Sequence, residues 1–148
     1  MENLLKKEDP VFGVIGGGSF ATANVKLLSV NNRKLNWYMR DTDAIEHIKQ
    51  YHHHSKYLSS VELDANKFFI TNDINKVVEE SDIIIFAVPS AYFISQVSQI
   101  TASYDGKLLI SAVKGFVGEE HYTIAEYFHN VHNIPFDRIG VISGPCHA

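Results

Sequence analysis

Cysteine is scarce and basic residues are not in excess in this sequence of 148 residues. The one cysteine, Cys146, cannot form an internal disulfide, which favours a reducing compartment such as the cytoplasm. Lys and Arg number 13 against 17 Asp and Glu, and the basic residues form no stripe that would follow a nucleic-acid backbone. We therefore expect a cytoplasmic protein without a nucleic-acid partner.

Long apolar runs are absent as well. A membrane-spanning helix needs about 20 consecutive apolar residues, and no stretch of the sequence approaches that length. The first ten residues are rich in Lys and Glu and lack the apolar centre of a signal peptide. Hydrophobic residues make up 45% of the chain and charged residues 20%, as in ordinary globular proteins. These features predict one folded domain over residues 1–148, with no membrane or export segment.

Short apolar runs alternate with segments of helical periodicity along the chain. The runs predict strands, at Val11–Ile15, Leu35–Met39, Phe68–Ile70, Ile83–Val88, Leu108–Val113 and Ile139–Ile142. The intervening segments predict helices, at Ser19–Val30, after a cap at Asp43, around Ile74–Val78, around Phe93–Ile100 and at Tyr122–His132. Such alternation forces right-handed crossovers and a mostly parallel sheet with helices on both faces, which is the doubly wound α/β class.

The segment from Gln50 to Ala65 fits neither pattern and predicts a surface connection. It contains His52, His53 and His54, which suggest a metal site at first sight. Neighbours in sequence rarely point at one centre, so a solvated loop is the favoured interpretation and no metal is expected.

A glycine-rich turn joins the first predicted strand to the first helix. Its residues spell G-x-G-x-x-A: Gly16, Gly17, Gly18, Ser19, Phe20 and Ala21. In this context Gly16 allows a sharp turn, Gly18 leaves room for a pyrophosphate and Ala21 lets helix and strand approach. The pyrophosphate would meet the free N–H groups of the helix. The turn therefore predicts a dinucleotide site of the Rossmann type, and the alternative is a glycine turn without a ligand.

Arg40 and Asp41 stand where the second strand ends. NAD-preferring folds of this kind usually place an acidic residue there to bind the ribose hydroxyls. A guanidinium can pair with a 2'-phosphate and stack on adenine, so Arg40 predicts that NADP is accepted or preferred, while Asp41 leaves NAD possible. The alternative is a solvated arginine.

Five motifs in order give a more specific signal than the turn alone. After G-G-G-S-F-A come Lys56-Tyr57-Leu58, Val88-Pro89-Ser90, Ser111-Ala112-Val113-Lys114-Gly115 and Ser143-Gly144-Pro145-Cys146-His147-Ala148. From about Val11 onward, the series resembles the amino-terminal domain of the NAD(P)-dependent glycerol-3-phosphate dehydrogenases. The resemblance implies hydride exchange between a nicotinamide and dihydroxyacetone phosphate, the small-molecule substrate, giving glycerol 3-phosphate.

The resemblance also implies roles for individual residues. Pro89, Ser90 and Phe93 would contact the cofactor beyond the fourth strand, although Phe93 also has the spacing of a core aromatic. Lys114 would contact both cofactor and substrate, with a plain surface lysine as the alternative.

The last turn of the sequence carries the remaining implied contacts. Ser143 and Gly144 would help to bind the substrate. Covalent catalysis by Cys146 with His147 is disfavoured, because adjacent side chains in an extended segment point apart.

Family enzymes continue into a helical second domain that supplies the general-base lysine and most of the phosphate-binding groups. We therefore expect this chain to be a fragment that binds cofactor, turns over poorly alone and exposes an apolar face through which it could form a homo-oligomer. The alternatives are another two-domain dehydrogenase, of the ketopantoate or 6-phosphogluconate type, and a dinucleotide-sensing module without catalysis.

Overall fold

The fold is a six-stranded parallel sheet in the order β3-β2-β1-β4-β5-β6, seen in a computed structural model that describes residues 7–31 and 33–143. The strands are β1 (Phe12–Ile15), β2 (Leu35–Tyr38), β3 (Phe69–Thr71), β4 (Ile83–Phe86), β5 (Leu108–Ser111) and β6 (Ile139–Val141). The α-helices are α1 (Ser19–Val30), α2 (Thr42–Tyr51), α3 (Ile74–Glu79), α4 (Ser90–Val97) and α5 (Ile124–His132). Short 3-10 helices precede β3 and β6, at Ala65–Lys67 and Phe136–Arg138.

Two apolar clusters cover the two faces of the sheet. One contains Ile15 and Phe86 with buried residues of α3, α4 and α5, and the other contains Val14 and Ile85 with buried residues of α1 and α2. Successive strand residues enter opposite clusters because side chains alternate across a strand. Helices therefore lie on both faces, and the predicted doubly wound class is confirmed.

The strand order reverses between β1 and β4. From β1 the chain moves outward to β2 and β3, then returns to pair β4 with the other side of β1. The backbone pairing continues past the strand ends, where the Ala87 amide donates to the Ile15 carbonyl at 2.8 Å. Ligands of open α/β sheets bind at such a reversal, beyond the carboxyl ends of the strands. The glycine turn follows β1 at this point, and Pro89 follows β4.

One local prediction was wrong and another was incomplete. The cap of α2 is Asp41 and not Asp43, because the Asp41 side chain accepts the Ala44 amide at 3.1 Å. The 50–65 segment is not simply a surface connection, since His54 and Leu63 are 2% and 0% exposed. Both side chains reach inward, and His54 contacts the glycine turn.

None of the helices within residues 7–31 and 33–143 combines the length and the apolar character that crossing a bilayer requires.

Candidate coenzyme site

The glycine turn has the shape that a diphosphate requires. Gly16 has a φ of +139°, and a Cβ there would lie 2.3 Å from the Ala87 carbonyl oxygen. Only glycine avoids both the strained angle and that overlap. A Cβ on Gly18, in contrast, would meet no atom within 4 Å. The space over Gly18 is therefore open, as expected where a ligand approaches the backbone.

Three hydrogen bonds hold the turn in place. The Gly16 amide donates to the Tyr38 carbonyl at 3.0 Å. The indole N–H of Trp37 donates to the Gly16 carbonyl at 2.7 Å, and the His54 ring lies 3.1 Å from the Gly17 carbonyl. The turn is thus fixed to β2 and to the segment after α2.

The first turn of α1 is suited to an anion. Its N-cap residue, Gly18, has no side chain that could cap the helix, and the first turn of the helix contains no acidic residue. Ser19 is exposed, Phe20 packs against the core and Ala21 is fully buried. Amides without a partner in the helix and the positive end of the dipole remain for a negative group. A diphosphate fits this arrangement.

A cavity of about 320 Å³ lies beside the turn. Five of its lining residues were predicted from sequence as cofactor contacts, namely Gly16, Gly17, Gly18, Arg40 and Pro89. Sequence reasoning missed others as contacts, including His54, Lys56, Tyr57, Tyr92 and Gln96. Tyr92 is 57% exposed on the outer side of α4, next to the predicted Phe93, so only the phase of that helix could have identified it.

Three charged residues line this cavity, namely Arg40 and Asp41 directly after β2 and Lys56 in the segment after α2. Arg40 is exposed. Asp41 accepts the Ala44 amide with one oxygen and Lys56 Nζ, at 3.1 Å, with the other. These two bonds hold the pKa of Asp41 below its usual range, with the Ala44 amide contributing most. The carboxylate on which NAD binding would depend is therefore engaged with protein partners.

The three residues predicted as cofactor contacts after β4 have different surroundings. Pro89 lines the cavity and Ser90 opens α4. Phe93 is 0% exposed and its ring centroid lies 5.8 Å from that of Phe86 and 5.6 Å from that of Phe128. The alternative interpretation, a core aromatic, fits this burial, and the idea that the Phe93 ring flanks the cofactor finds no support.

Two of the predicted substrate contacts, Lys114 and Ser143, follow the carboxyl ends of strands of the same sheet but do not line the cavity. Lys114 is exposed and follows β5, just before Gly115, which has a φ of +84°. A Cβ on Gly115 would lie 3.7 Å from the Ser90 hydroxyl, so this loop runs beside the start of α4. Ser143 is exposed beyond β6. Gly144 lies outside the described residues.

The three histidines of the triplet have different surroundings. His52 is exposed, His53 is half-buried against His47, and His54 points to the glycine turn. Across the described parts of the chain, no three His, Cys, Asp or Glu residues are grouped to hold a metal ion. Cys146 and His147 lie outside those parts.

Known proteins share this architecture. The P. falciparum glycerol-3-phosphate dehydrogenase structure superposes with a TM-score of 0.82 at 23% identity, covering 99% of this chain and 43% of that one. The glycerol-3-phosphate dehydrogenase of S. cerevisiae gives 0.77 at 22% identity, with 95% and 43% covered. At these identities the likeness shows the fold alone.

Sequence comparison is more specific. A glycerol-3-phosphate dehydrogenase (NAD(P)+) of Pseudomonas syringae pv. syringae is 33% identical over 138 residues, which cover 93% of this chain and 39% of that protein. The chain thus spans well under half of the curated relatives it matches. The family model described as the NAD-dependent glycerol-3-phosphate dehydrogenase N-terminus matches residues 12–148. The resemblance stated from the motifs is confirmed, and this chain belongs to the family of NAD-dependent glycerol-3-phosphate dehydrogenases.

Proposed function

We propose that this chain binds NADP or NAD and forms the coenzyme half of an enzyme that interconverts dihydroxyacetone phosphate and sn-glycerol 3-phosphate. The observation that carries the proposal is the turn at Gly16 to Gly18. One glycine is required there by the Ala87 backbone, and another faces open space at an uncapped helix N-terminus. A turn without a ligand would need no such opening.

The residues at the carboxyl ends of the strands would have separate roles. Amides of the turn and of Ser19 and Phe20 would bind the diphosphate, while Pro89 and Ser90 would shape the cleft where the nicotinamide lies. When bound, that ring supplies or accepts the hydride of the reaction. Lys114, at the carboxyl end of β5, would hold a substrate oxygen by a charge-assisted hydrogen bond of about 1.5–3 kcal/mol. Ser143 and Gly144 would contact the substrate beyond β6.

We propose a preference for NADP over NAD. Arg40 and Lys56 both line the cavity and are exposed, and Arg40 directly follows β2. Both carboxylate oxygens of Asp41 already accept hydrogen bonds, one from the Ala44 amide and one from Lys56 Nζ. Fewer lone pairs therefore remain for a ribose hydroxyl. A 2'-phosphate would meet the Arg40 guanidinium there, whereas the Lys56 charge is already paired with Asp41.

Binding of NADPH and NADH to this chain tests the proposal directly. Calorimetric titration is expected to show uptake of both, with a lower Kd for NADPH. Absence of binding by folded protein would overturn it, and a lower Kd for NADH would reverse the stated preference. Dihydroxyacetone phosphate added with NADPH should give little oxidation by the 148-residue chain, because the ketone is not enclosed.

We also propose a cytoplasmic location and self-association. The single cysteine supports a reducing compartment. Phe136, in the 3-10 helix before the edge strand β6, is 53% exposed, and Val141 at the end of β6 is 61% exposed, which supports contact between copies. Sedimentation velocity over a range of concentrations should show a species larger than the monomer, and a concentration-independent monomer would contradict it.

A further inference from the structure

His54 is a buried histidine outside the glycine fingerprint, yet it is bonded to it. The side chain is 2% exposed. Its Nε2 lies 3.1 Å from the Gly17 carbonyl oxygen. Its Nδ1 accepts the amides of Lys56 and Tyr57, at 3.1 and 3.4 Å.

These partners define the state of the ring. Two N–H groups point at Nδ1, so that nitrogen must offer a lone pair, and the proton of a neutral imidazole then sits on Nε2. The Nε2–H group donates to the Gly17 carbonyl. One ring thus joins the glycine turn to the segment that carries Lys56 and Tyr57.

A bond to this carbonyl also fixes an amide. The Gly17 carbonyl and the Gly18 N–H belong to one planar trans peptide, in which the two groups point in opposite directions. Holding the carbonyl toward His54 directs the Gly18 N–H away from it. Trp37 acts in the same way one residue earlier, on the peptide that links Gly16 to Gly17.

We propose that His54 is a positioning residue of the coenzyme site. It directs the Gly18 amide toward the diphosphate and couples that amide to the segment that supplies Lys56 and Tyr57 to the cavity. The inference rests on the proposed coenzyme binding and adds a residue that the fingerprint does not contain.

Protonation of His54 would undo this arrangement. A proton on Nδ1 would face the two amide N–H groups that now donate to it. The charged or ring groups around His54 are Asp41 and Lys56, His47 from α2, and the Tyr57 ring at 5.1 Å. Burial is the largest influence and lowers the pKa of His54, while the Gly17 carbonyl and Asp41 oppose it. Coenzyme affinity should therefore be constant near neutral pH and fall in acid.

The test uses NAD+, which has no 2'-phosphate whose own titration would confuse the profile. Its Kd is measured by calorimetry at about pH 7.5 and about pH 5.0, the lower value lying well below the ordinary imidazole pKa of about 6.5 because burial lowers the pKa of His54. Wild type and the matched controls His52→Gln and His53→Gln should bind several-fold more weakly at the lower pH. His54→Gln should bind near wild type at the higher pH, because its amide can still donate to Gly17, and should lose the pH dependence. His54→Leu should bind about 2–10-fold more weakly at neutral pH, as expected for one lost hydrogen bond.

The outcomes separate the two proposals. No NAD+ uptake by wild type at either pH overturns the proposed function itself. Uptake with the same pH dependence in His54→Gln as in wild type overturns only the role of His54. Nitrogen-15 NMR of the histidine rings in the wild-type protein gives a readout that does not depend on either variant folding. A His54 proton found on Nδ1 at neutral pH would also overturn the proposed role of His54.

Discussion

The carboxyl ends of the six strands form two regions that differ in structure. On the side of β1, β2 and β4, the glycine turn is bonded to neighbouring backbone and side chains and opens on a cavity of about 320 Å³. On the side of β5 and β6, Lys114 and Ser143 are exposed and do not line that cavity. Apolar side chains are uncovered there too, with Phe116 62% and Val141 61% exposed.

The difference shows which chemistry this chain can organise by its own contacts. A diphosphate is bound by backbone amides, and here their geometry is set by residues from neighbouring strands of the same sheet. A small ketone needs several side chains to surround it, and an exposed lysine at one strand end does not do that. Coenzyme binding and substrate turnover should therefore respond differently to mutation.

The largest effect is expected at Gly16. Gly16→Ala places a Cβ 2.3 Å from the Ala87 oxygen at a φ of +139°. Unfavourable backbone angles and overlap should lower the free energy of unfolding by about 3 kcal/mol or more and abolish coenzyme binding. Denaturant titration measures the first and calorimetry the second.

Gly18→Ser is the matched control for the same turn. Gly18 has a φ of -92°, its Cβ position is open, and serine is a favourable N-cap residue. Unfolding free energy should change by about 0.5 kcal/mol or less, while NADPH affinity falls more than about tenfold because the side chain occupies the ligand's space. Equal destabilisation by the two variants would show that the opening over Gly18 is structural.

Arg40 distinguishes the binding of NADPH from the binding of NADH. Arg40→Gln should weaken NADPH binding by about 10–100-fold, the value of one or two charge-assisted bonds, and leave NADH within about threefold. Arg33→Gln is the control, because Arg33 is exposed just after the C-terminal end of α1 and does not line the cavity. If both coenzymes weaken equally, Arg40 does not bind the 2'-phosphate.

Much of the coenzyme side, around β1, β2 and β4, was predictable from sequence because its geometry depends on residues close together in the chain. The G-x-G-x-x-A spacing fixes which residues turn and which face the helix end, and Gly16, Gly18 and Ala21 lie as that spacing predicts. The six strands follow from apolar runs, although β4 and β5 end two residues earlier than the apolar runs. The runs are longer because Ala87, Val88 and Ala112 stay buried beyond the last paired residue.

The missed residues are those whose role depends on packing across the chain. His54 stands in a polar triplet that reads as solvated, and only its distance to Gly17 reveals its partner. Asp41 and Asp43 both fit a helix cap by sequence, and the Ala44 bond decides between them. Phe93 has the spacing of the α4 core face and is buried, whereas its neighbour Tyr92 reaches the cavity.

Lys114 tests the other side of the comparison. Because Lys114 lies outside the cavity, Lys114→Gln should change the Kd of either coenzyme in this chain by about threefold or less, in the range of a surface substitution. In a protein extended by the remaining length of its relatives, the same change should lower kcat/KM for dihydroxyacetone phosphate. A tenfold loss of NADPH affinity in this chain would place Lys114 on the coenzyme side after all.

The smallest effect concerns pH and stability. Burial lowers the pKa of both His54 and His132. Their folded pKa values then lie below the unfolded value of about 6.5, so the unfolded chain binds protons first as pH falls. The stabilisation is fully present above about pH 6.5 and declines below it, by at most about 1.4 kcal/mol per pH unit per histidine. Carboxyl groups with lowered pKa values lose their contribution only near pH 4 and below, outside this window. Urea denaturation at about pH 7.5, 6.5 and 5.5 should show this decline, shallower in His54→Gln, and a stability that rises toward pH 5.5 would mean that neither histidine is held neutral by the fold.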